Sequence, residues 1–181
     1  MNNRTRSFMG MAVAILLLTA LPQIGAVGRT ANEYEVKAAF LYNFAQFVEW
    51  PSDVFRDSKS PMVIGVFGQD PFGSTLDEAV KNKTVNGRRF VIKRFKALRD
   101  IETCQILFVS ASEGERVEKA ARAAGGKGVL TVGESSHFID HGGIINFTID
   151  NSKIGLEISV DHARNASLKI SSKLLRLAKV V

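Results

Sequence analysis

The middle of the chain contains four short apolar segments spaced as β-strands usually are. Met62–Phe67 and Gln105–Val109 are nearly continuous apolar runs, as expected for strands buried on both faces. Arg89–Phe95 alternates polar with apolar residues, which indicates a strand with one solvated face. Val129–Val132 predicts a further short strand.

Helical patterns lie between these strands. Ser74 can cap a short helix that runs to about Asn82. Ser112 and Glu115 form a capping-box pattern at the start of a helix that runs to Ala124. Because strands and helices alternate, the sequence predicts an α/β fold in which a mostly parallel central sheet is flanked by helices.

A longer amphipathic helix precedes the first of these strands. Asn32 and Glu35 have capping-box spacing, so we predict that the helix begins there. It is expected to end at Trp50–Pro51, because proline disfavours helical backbone in the residue before it. Four apolar residues recur at helical spacing and are predicted to face the core: Val36, Phe40, Phe44 and Phe47.

In the C-terminal third, apolar and other residues alternate with a period of two on both sides of a polar turn at Asp150–Lys153. This pattern predicts a β-hairpin. Its core face would carry Ile145, Phe147, Ile149, Ile154, Leu156 and Ile158. Its polar face would carry Asn146, Thr148, Glu157 and Ser159. A terminal helix capped by Ser171 or Ser172 follows. The fold expected is therefore one domain, with a C-terminal hairpin and helix added to the sheet.

The first residues have the layout of a secretory signal peptide. Arg4 and Arg6 precede the uncharged run Met9–Leu21, and small residues follow as far as Gly28. An uncleaved membrane anchor is the alternative, but a span needs roughly 20 apolar residues and this run is shorter. We predict that residues 1–28 are removed and that residues 29–181 form a soluble domain outside the cytoplasm.

Charge and cysteine content narrow the choice of function. The chain has 24 basic and 18 acidic residues, and one stretch concentrates the basic ones: Lys81, Lys83, Arg88, Arg89, Lys93, Arg94 and Lys96. An exported protein has little access to nucleic acid, so a solvated strand edge is the first interpretation; an acidic partner or a lipid head group is the second. Cys104, the one cysteine, cannot form an internal disulfide and is expected to be buried.

No motif in the chain indicates catalysis. The turn at Gly68–Gly73 could expose backbone amides to an anion, but its spacing matches no phosphate-binding fingerprint. His137 and His141 could share a helical face for zinc, but the glycines that follow leave little room for a helix. The sequence contains no Gly-x-Ser-x-Gly nucleophile elbow. We therefore expect neither an enzyme, nor a metal site, nor a cofactor.

Several segments together resemble the YfiR/HmsC-like family of periplasmic proteins. They are the helical segment Glu33–Pro51, the strand Ile106–Ser110 with Ser112–Glu113 after it, Gly142–Phe147, and Leu168–Leu175. The resemblance covers essentially the whole predicted mature chain in the expected order. It implies a repressor of an inner-membrane diguanylate cyclase that lowers cyclic di-GMP and biofilm formation, and an outer-membrane lipoprotein that sequesters the repressor. Some members use disulfides for redox control, which a single cysteine cannot supply within one chain.

Such a repressor needs a docking surface and no chemistry, because differential affinity alone shifts a receptor between states. One candidate is the polar hairpin face with the adjacent helix start, represented by Asn146, Glu157, Ser171, Ser172, Lys173 and Arg176. The other is the exposed side of the first helix with its end at Trp50. Glu157 is expected to face solvent or a ligand, or to pair with a nearby base such as Lys173 or Arg176. A small-ligand sensor is the alternative function. A second copy of the chain is a further candidate partner, in a homodimer.

Overall fold

The computed structural model describes residues 24–124 and 127–181. The predicted signal peptide, residues 1–28, lies outside the described residues except for its last five. The described residues form five α-helices: α1 (Ile24–Phe47), α2 (Thr75–Val80), α3 (Val117–Ala123), α4 (Val160–Asn165) and α5 (Ser172–Leu175). Three 3₁₀ turns also occur there, at Ser52–Val54, Leu98–Asp100 and Ala111–Arg116.

Ten strands occur in the same part of the chain. They are β1 (Val48–Glu49), β2 (Met62–Phe67), β3 (Thr84–Val85), β4 (Arg88–Phe95), β5 (Ile106–Val109), β6 (Leu130–Gly133), β7 (Ile145–Asp150), β8 (Lys153–Ile158), β9 (Lys169–Ile170) and β10 (Lys179–Val180). Eight of them form one sheet in the order β10-β8-β7-β6-β5-β2-β4-β3, while β1 and β9 pair separately. The predicted single α/β domain is confirmed.

The sheet is mostly parallel. Strands β4, β2, β5, β6 and β7 run parallel to one another, because helices and loops carry the chain back to the amino ends of the strands. Antiparallel pairs occur at β3–β4 and in the predicted hairpin β7–β8. The hairpin turns at Asn151 and Ser152, both with positive φ, as a two-residue hairpin loop favours.

Helices cover the two faces of the sheet unequally. Alternate strand residues such as Ile64 and Phe108 pack with α1, α2, α4 and α5 into the larger core cluster. Residues of the opposite register, including Phe67 and Leu107, pack with α3 into a smaller one. Among the described residues, the smaller cluster contains no residue of β7, β8 or β10.

Two predictions about the first helix need correction: the residues at which it begins and ends, and which of its side chains are buried. In the described residues α1 begins at Ile24, eight residues before Asn32, and ends at Phe47 because Val48 pairs with Ile170 in the β1–β9 ladder. Phe44 is fully buried, as predicted. Val36 is 39% exposed, however, and the charged neighbour Lys37 takes the buried position at 2% exposure.

Other predicted elements differ in detail. The helix expected from Ser112 starts as the 3₁₀ turn and becomes α-helical only at Val117. The Ser112 hydroxyl does not cap this helix and instead accepts a hydrogen bond from the Gln69 amide at 3.4 Å. The predicted terminal helix is short: α5 ends at Leu175, Leu177 is 67% exposed, and the chain continues into β10.

Candidate functional site

The polar face of the hairpin is less exposed than its alternation predicts. Asn146 lies in β7 directly opposite Glu157 of β8, so both side chains point to the same face. Asn146 is only 6% exposed, and its Oδ1 atom has no hydrogen-bond partner among the described residues. Ser159 is also buried. Its hydroxyl accepts a hydrogen bond from the His162 amide and so caps α4. Thr148 and Glu157 remain partly exposed on this face.

Glu157 forms an ion pair, but not with either predicted base. Its Oε1 atom lies 2.8 Å from Nζ of Lys179, whose side chain is 71% exposed. The reason is that β10 adds to β8 in parallel, with Lys179 in register with Glu157. The expectation of Lys173 or Arg176 is therefore wrong. The ion pair joins the terminal strand, rather than the terminal helix, to the hairpin.

The helix-start residues lie on the other side of the hairpin. The Ser171 hydroxyl caps α5 by accepting a hydrogen bond from the Leu174 amide at 3.4 Å, which confirms the first of the two predicted caps. The backbone amide of Ser171 donates to Phe47 at the end of α1. Leu174 packs into the core cluster on the apolar face of the hairpin, opposite to Glu157. Three predicted site residues here are exposed: Ser172, Lys173 and Arg176.

Trp50 occupies a third location. Its indole Nε1–H donates to the carbonyl oxygen of Gln105 at 3.2 Å, just before β5 begins. Gln105 is itself buried and accepts a hydrogen bond from the Val63 amide. Trp50 is therefore half-buried at the amino end of the parallel strands. The structure thus distributes the predicted site residues over three separate places.

A buried charge cluster escaped the sequence analysis. The ammonium group of Lys37 lies 2.5 Å from Glu33 Oε1 and 2.6 Å from Glu134 Oε2, and 4.7 Å from the centre of the Tyr34 ring. The Tyr34 hydroxyl donates to the other oxygen of Glu134 at 3.2 Å. Burial and the charge of Glu134 raise the pKa of Tyr34 to about 12. This cluster connects α1 to the carboxyl end of β6.

Only one part of the cluster had a signal in the sequence. Glu33 and Lys37 have the i, i+4 spacing of a helical ion pair. Lys37 and Glu134 are 97 residues apart in the sequence, so their contact forms only when the chain folds.

A family model described as YfiR/HmsC-like matches residues 34–179, which include Tyr34, Lys37 and Glu134 of this charge cluster, the hairpin and α5. The chain belongs to the YfiR/HmsC-like family. Members of the family are known as periplasmic regulators of diguanylate cyclases, and they are regulatory rather than catalytic proteins. The resemblance inferred from the sequence motifs is confirmed.

A solved structure supports the fold. A conserved domain protein from Vibrio cholerae O1 biovar eltor str. N16961 is similar to 83% of this YfiR/HmsC-like chain, with 14% sequence identity and a TM-score of 0.50. The present chain spans 59% of the length of that structure's chain. At this identity the likeness concerns the fold alone. No curated protein matches the chain.

The YfiR/HmsC-like motifs contribute to the fold at several points. A Cβ atom at Gly143 would lie 2.1 Å from the ring of Phe138, so the motif glycine permits close packing of that ring. The last motif contains β9 and the capped start of α5, which fix the end of α1. Motif membership therefore does not separate docking residues from folding residues.

Cys104 and His137 carry side-chain groups that are reactive in other proteins. Cys104 is 1% exposed, and burial raises the pKa of its thiol to about 12, so the thiolate nucleophile is suppressed. His137 Nδ1 lies 2.9 Å from Asp140 Oδ2. Within residues 24–124 and 127–181 no group of three or more His, Cys, Asp or Glu residues could hold a metal ion. No helix in that part of the chain has the length and apolar character needed to cross a bilayer.

Proposed function

We propose that this protein binds the periplasmic domain of an inner-membrane diguanylate cyclase and represses it, lowering cyclic di-GMP and with it biofilm and exopolysaccharide output. The observation that supports this proposal is the family match over residues 34–179, since members are known as periplasmic regulators of such cyclases. The proposed role needs binding only. The suppressed thiol of Cys104 and the structural role of Trp50 are compatible with a protein that performs no catalysis.

Repression follows from differential affinity. If the regulator binds the inactive conformation of the cyclase more tightly than the active one, binding shifts the population toward the inactive conformation. A shift from 99% active to 99% inactive needs a difference in affinity of about 10⁴-fold. A rigid docking surface favours such discrimination, because little conformational entropy is lost on binding.

Export places the regulator on the correct side of the inner membrane. We propose that residues 1–28 are removed as a signal peptide and that residues 29–181 are the mature domain. Cleavage there would shorten α1 at its first turn but retain Glu33 and Lys37. The Lys37 ammonium group pairs with both Glu33 and Glu134, and its pair with Glu134 connects the helix to the end of β6. The mature fold would therefore keep its main attachment between α1 and β6.

The hairpin surface, defined as Thr148, Glu157 and Lys179, is the proposed docking site. It combines the partly exposed Thr148 and Glu157 with the exposed Lys179, on a face where the described part of the hairpin adds no residue to the smaller core cluster. The α5 surface, defined as Ser172, Lys173 and Arg176, lies on the opposite side of the hairpin. Two separate surfaces would allow a second partner, such as a sequestering outer-membrane lipoprotein or another copy of the chain, to bind independently.

Gene deletion and complementation test the proposal. Deletion of the gene should raise cyclic di-GMP, measured by mass spectrometry of cell extracts. The full chain should restore the original level, whereas residues 29–181 expressed without the leader should not, because the protein then stays in the cytoplasm. Unchanged cyclic di-GMP after deletion under several growth conditions would refute repression. Restoration by the leaderless protein would refute the periplasmic site of action.

A further inference from the structure

Strand β4 is unpaired on one side along most of its length. On its inner side it pairs with β2 over residues 90–95. On its outer side β3 pairs only with Arg88 and Arg89, and no other strand of the described residues lies beside residues 91–95. This outer side of residues 91–95, called the β4 edge, is a template on which a further extended segment can add.

One hydrogen bond shows which backbone groups the β4 edge offers. The Phe95 carbonyl accepts from the Gly68 amide at 3.0 Å, just after β2, so Phe95 directs its backbone groups toward the β2 side. Successive residues of a strand direct their N–H and C=O groups to alternate sides. Ile92 and Arg94 therefore direct theirs outward, beyond the reach of β3. Each of the two offers one donor and one acceptor to an added strand.

One face of β4 also has room for the side chains of an added strand. A cavity of about 530 Å³ is lined by Phe90 and Ile92 of β4 together with Val80 of α2. Phe90 and Ile92 pack against the larger core cluster but remain partly exposed. An added strand would place every second side chain on this face, where it would cover the two residues further.

The segment around the β4 edge has an excess of positive charge. Residues 81–96 include seven basic residues and no acidic one. Three of the seven pair with carboxylates, including Asp77 and Glu78 beside the cavity: Lys81, Lys93 and Arg94. Within the described residues the other four have no carboxylate partner: Lys83, Arg88, Arg89 and Lys96.

These cations lie at both ends of the β4 edge and on both faces of the strand. Arg89 precedes the edge and lies, by alternation, on the face opposite to Ile92. Lys83 lies on the Ile92 face, where its ammonium group is 4.3 Å from the centre of the Tyr42 ring. Lys96 follows the last residue of β4. This distribution suits an extended acidic segment, because the side chains of a strand point to alternate faces.

We propose that the β4 edge binds an extended acidic segment of a partner protein as an additional β-strand. The backbone of that segment bonds to Ile92 and Arg94, and its carboxylates meet the cations at the two ends of the edge. A second copy of the chain fits less well, because two such edges side by side bring like charges together. The β4 edge and the hairpin surface lie at opposite edges of the sheet, so the inference does not rest on the proposed function.

A fluorescently labelled peptide tests this assignment by anisotropy, with protein expressed from the full chain. The peptide has two glutamates, a Val-Thr-Val-Thr centre and two further glutamates, so each end presents a carboxylate to both faces. We expect one peptide per chain. N-methylation of the central residues removes backbone donors but no charge, and it should weaken binding at least about tenfold. Equal binding of the N-methylated peptide, or no binding of either peptide, would overturn the proposal.

Amide hydrogen exchange, followed by NMR, locates the contact. The Ile92 and Arg94 amides should exchange quickly in the free protein and slow at least about tenfold in the complex. The Val91 and Lys93 amides face β2 and should be protected in both states. Peptide binding that leaves the Ile92 and Arg94 rates unchanged would overturn strand addition. Protection of these two amides that rises with the concentration of the protein alone would overturn the acidic partner in favour of a second copy.

Arg89→Ala tests the role of charge at one end of the edge. Arg89 is exposed, so the variant should fold normally, and the loss of one exposed charge pair should weaken peptide binding about threefold. Lys173→Ala is the matched control, because it removes an equal charge from the α5 surface. It should leave the affinity unchanged. An equal loss in both variants would overturn the proposal in favour of general electrostatic attraction.

Discussion

At the scale of single residues, a buried lysine connects α1 to the carboxyl end of β6. Lys37 is 2% exposed, and a charged group is rarely buried without partners. Glu33 and Glu134 provide these partners, and the Tyr34 ring lies beside the ammonium group. Helical periodicity predicted the burial of Phe44 on the same helix. It could not predict that of Lys37, because the ion-pair partner Glu134 is distant in sequence.

Tyr34 should make stability depend on pH in the alkaline range. Its pKa rises from 10.0 to about 12 on folding, so the folded state keeps a proton that the unfolded state releases. The stabilisation is therefore fully present below about pH 10 and is lost as pH rises through about 12. Urea unfolding between about pH 9 and pH 11.5 should show this fall. The variant Tyr34→Phe should reduce the fall, because it removes the titrating hydroxyl.

Tyr42→Phe is the control for that measurement. The Tyr42 ring packs against Phe90 and not against the charge cluster around Glu134. It should retain the alkaline fall in stability. If Tyr34→Phe and the wild-type protein lose stability with the same slope, the cluster around Glu134 does not form as described.

Phe44→Ala should strongly destabilise the fold. Phe44 is fully buried and contacts the rings of Phe40 and Phe147, each at a ring-centre distance of 5.9 Å. Truncation of a buried phenylalanine costs about 3–5 kcal/mol in the free energy of unfolding. Val36→Ala on the same helix should cost less than about 0.5 kcal/mol, because Val36 is largely outside the core. A Phe44→Ala protein that melts like wild type but fails to repress would show that this residue belongs to an interface.

At the scale of elements, strands of four or more residues were predicted well, whereas two-residue strands such as β3 and β10 were not. The apolar runs predicted β2, β5 and β6 within one residue at each end, and alternation predicted the hairpin. Strand β10 has two residues, which is too short for any period to be visible. Its pairing with β8 nevertheless decides the partner of Glu157. Predictions about side-chain partners therefore failed where a short element supplied the partner.

Glu157→Gln separates docking from folding at the hairpin. Glu157 pairs with Lys179, whose side chain is largely exposed to solvent. Loss of this ion pair should therefore cost no more than about 1 kcal/mol in the free energy of unfolding. If the hairpin surface docks the cyclase, repression in cells should fall while the melting temperature stays nearly unchanged.

Lys173→Gln provides the comparison, because it removes one charge from the α5 surface on the other side of the hairpin. Repression should then be retained. Equal loss of repression in both variants, or a loss that follows the amount of protein, would contradict docking through the hairpin surface.

At the scale of the whole molecule, the fold class followed from the sequence, whereas the grouping of the site residues did not. Apolar runs and helical periods are local properties, and they sufficed for a mostly parallel α/β domain. Whether Lys173 lies beside Glu157 depends on which face of the hairpin α5 covers, and that depends on contacts between distant segments. The family's regulatory role followed from motifs rather than from any catalytic group.

The most direct test of repression uses spheroplasts of the deletion strain, which expose the periplasmic side of the inner membrane. Purified residues 29–181 are added at increasing concentration, and intracellular cyclic di-GMP is measured. We predict a saturable fall in cyclic di-GMP, with no fall after addition of the same domain denatured by heat. Unchanged cyclic di-GMP at all concentrations of the folded wild-type domain would contradict repression from the periplasmic side.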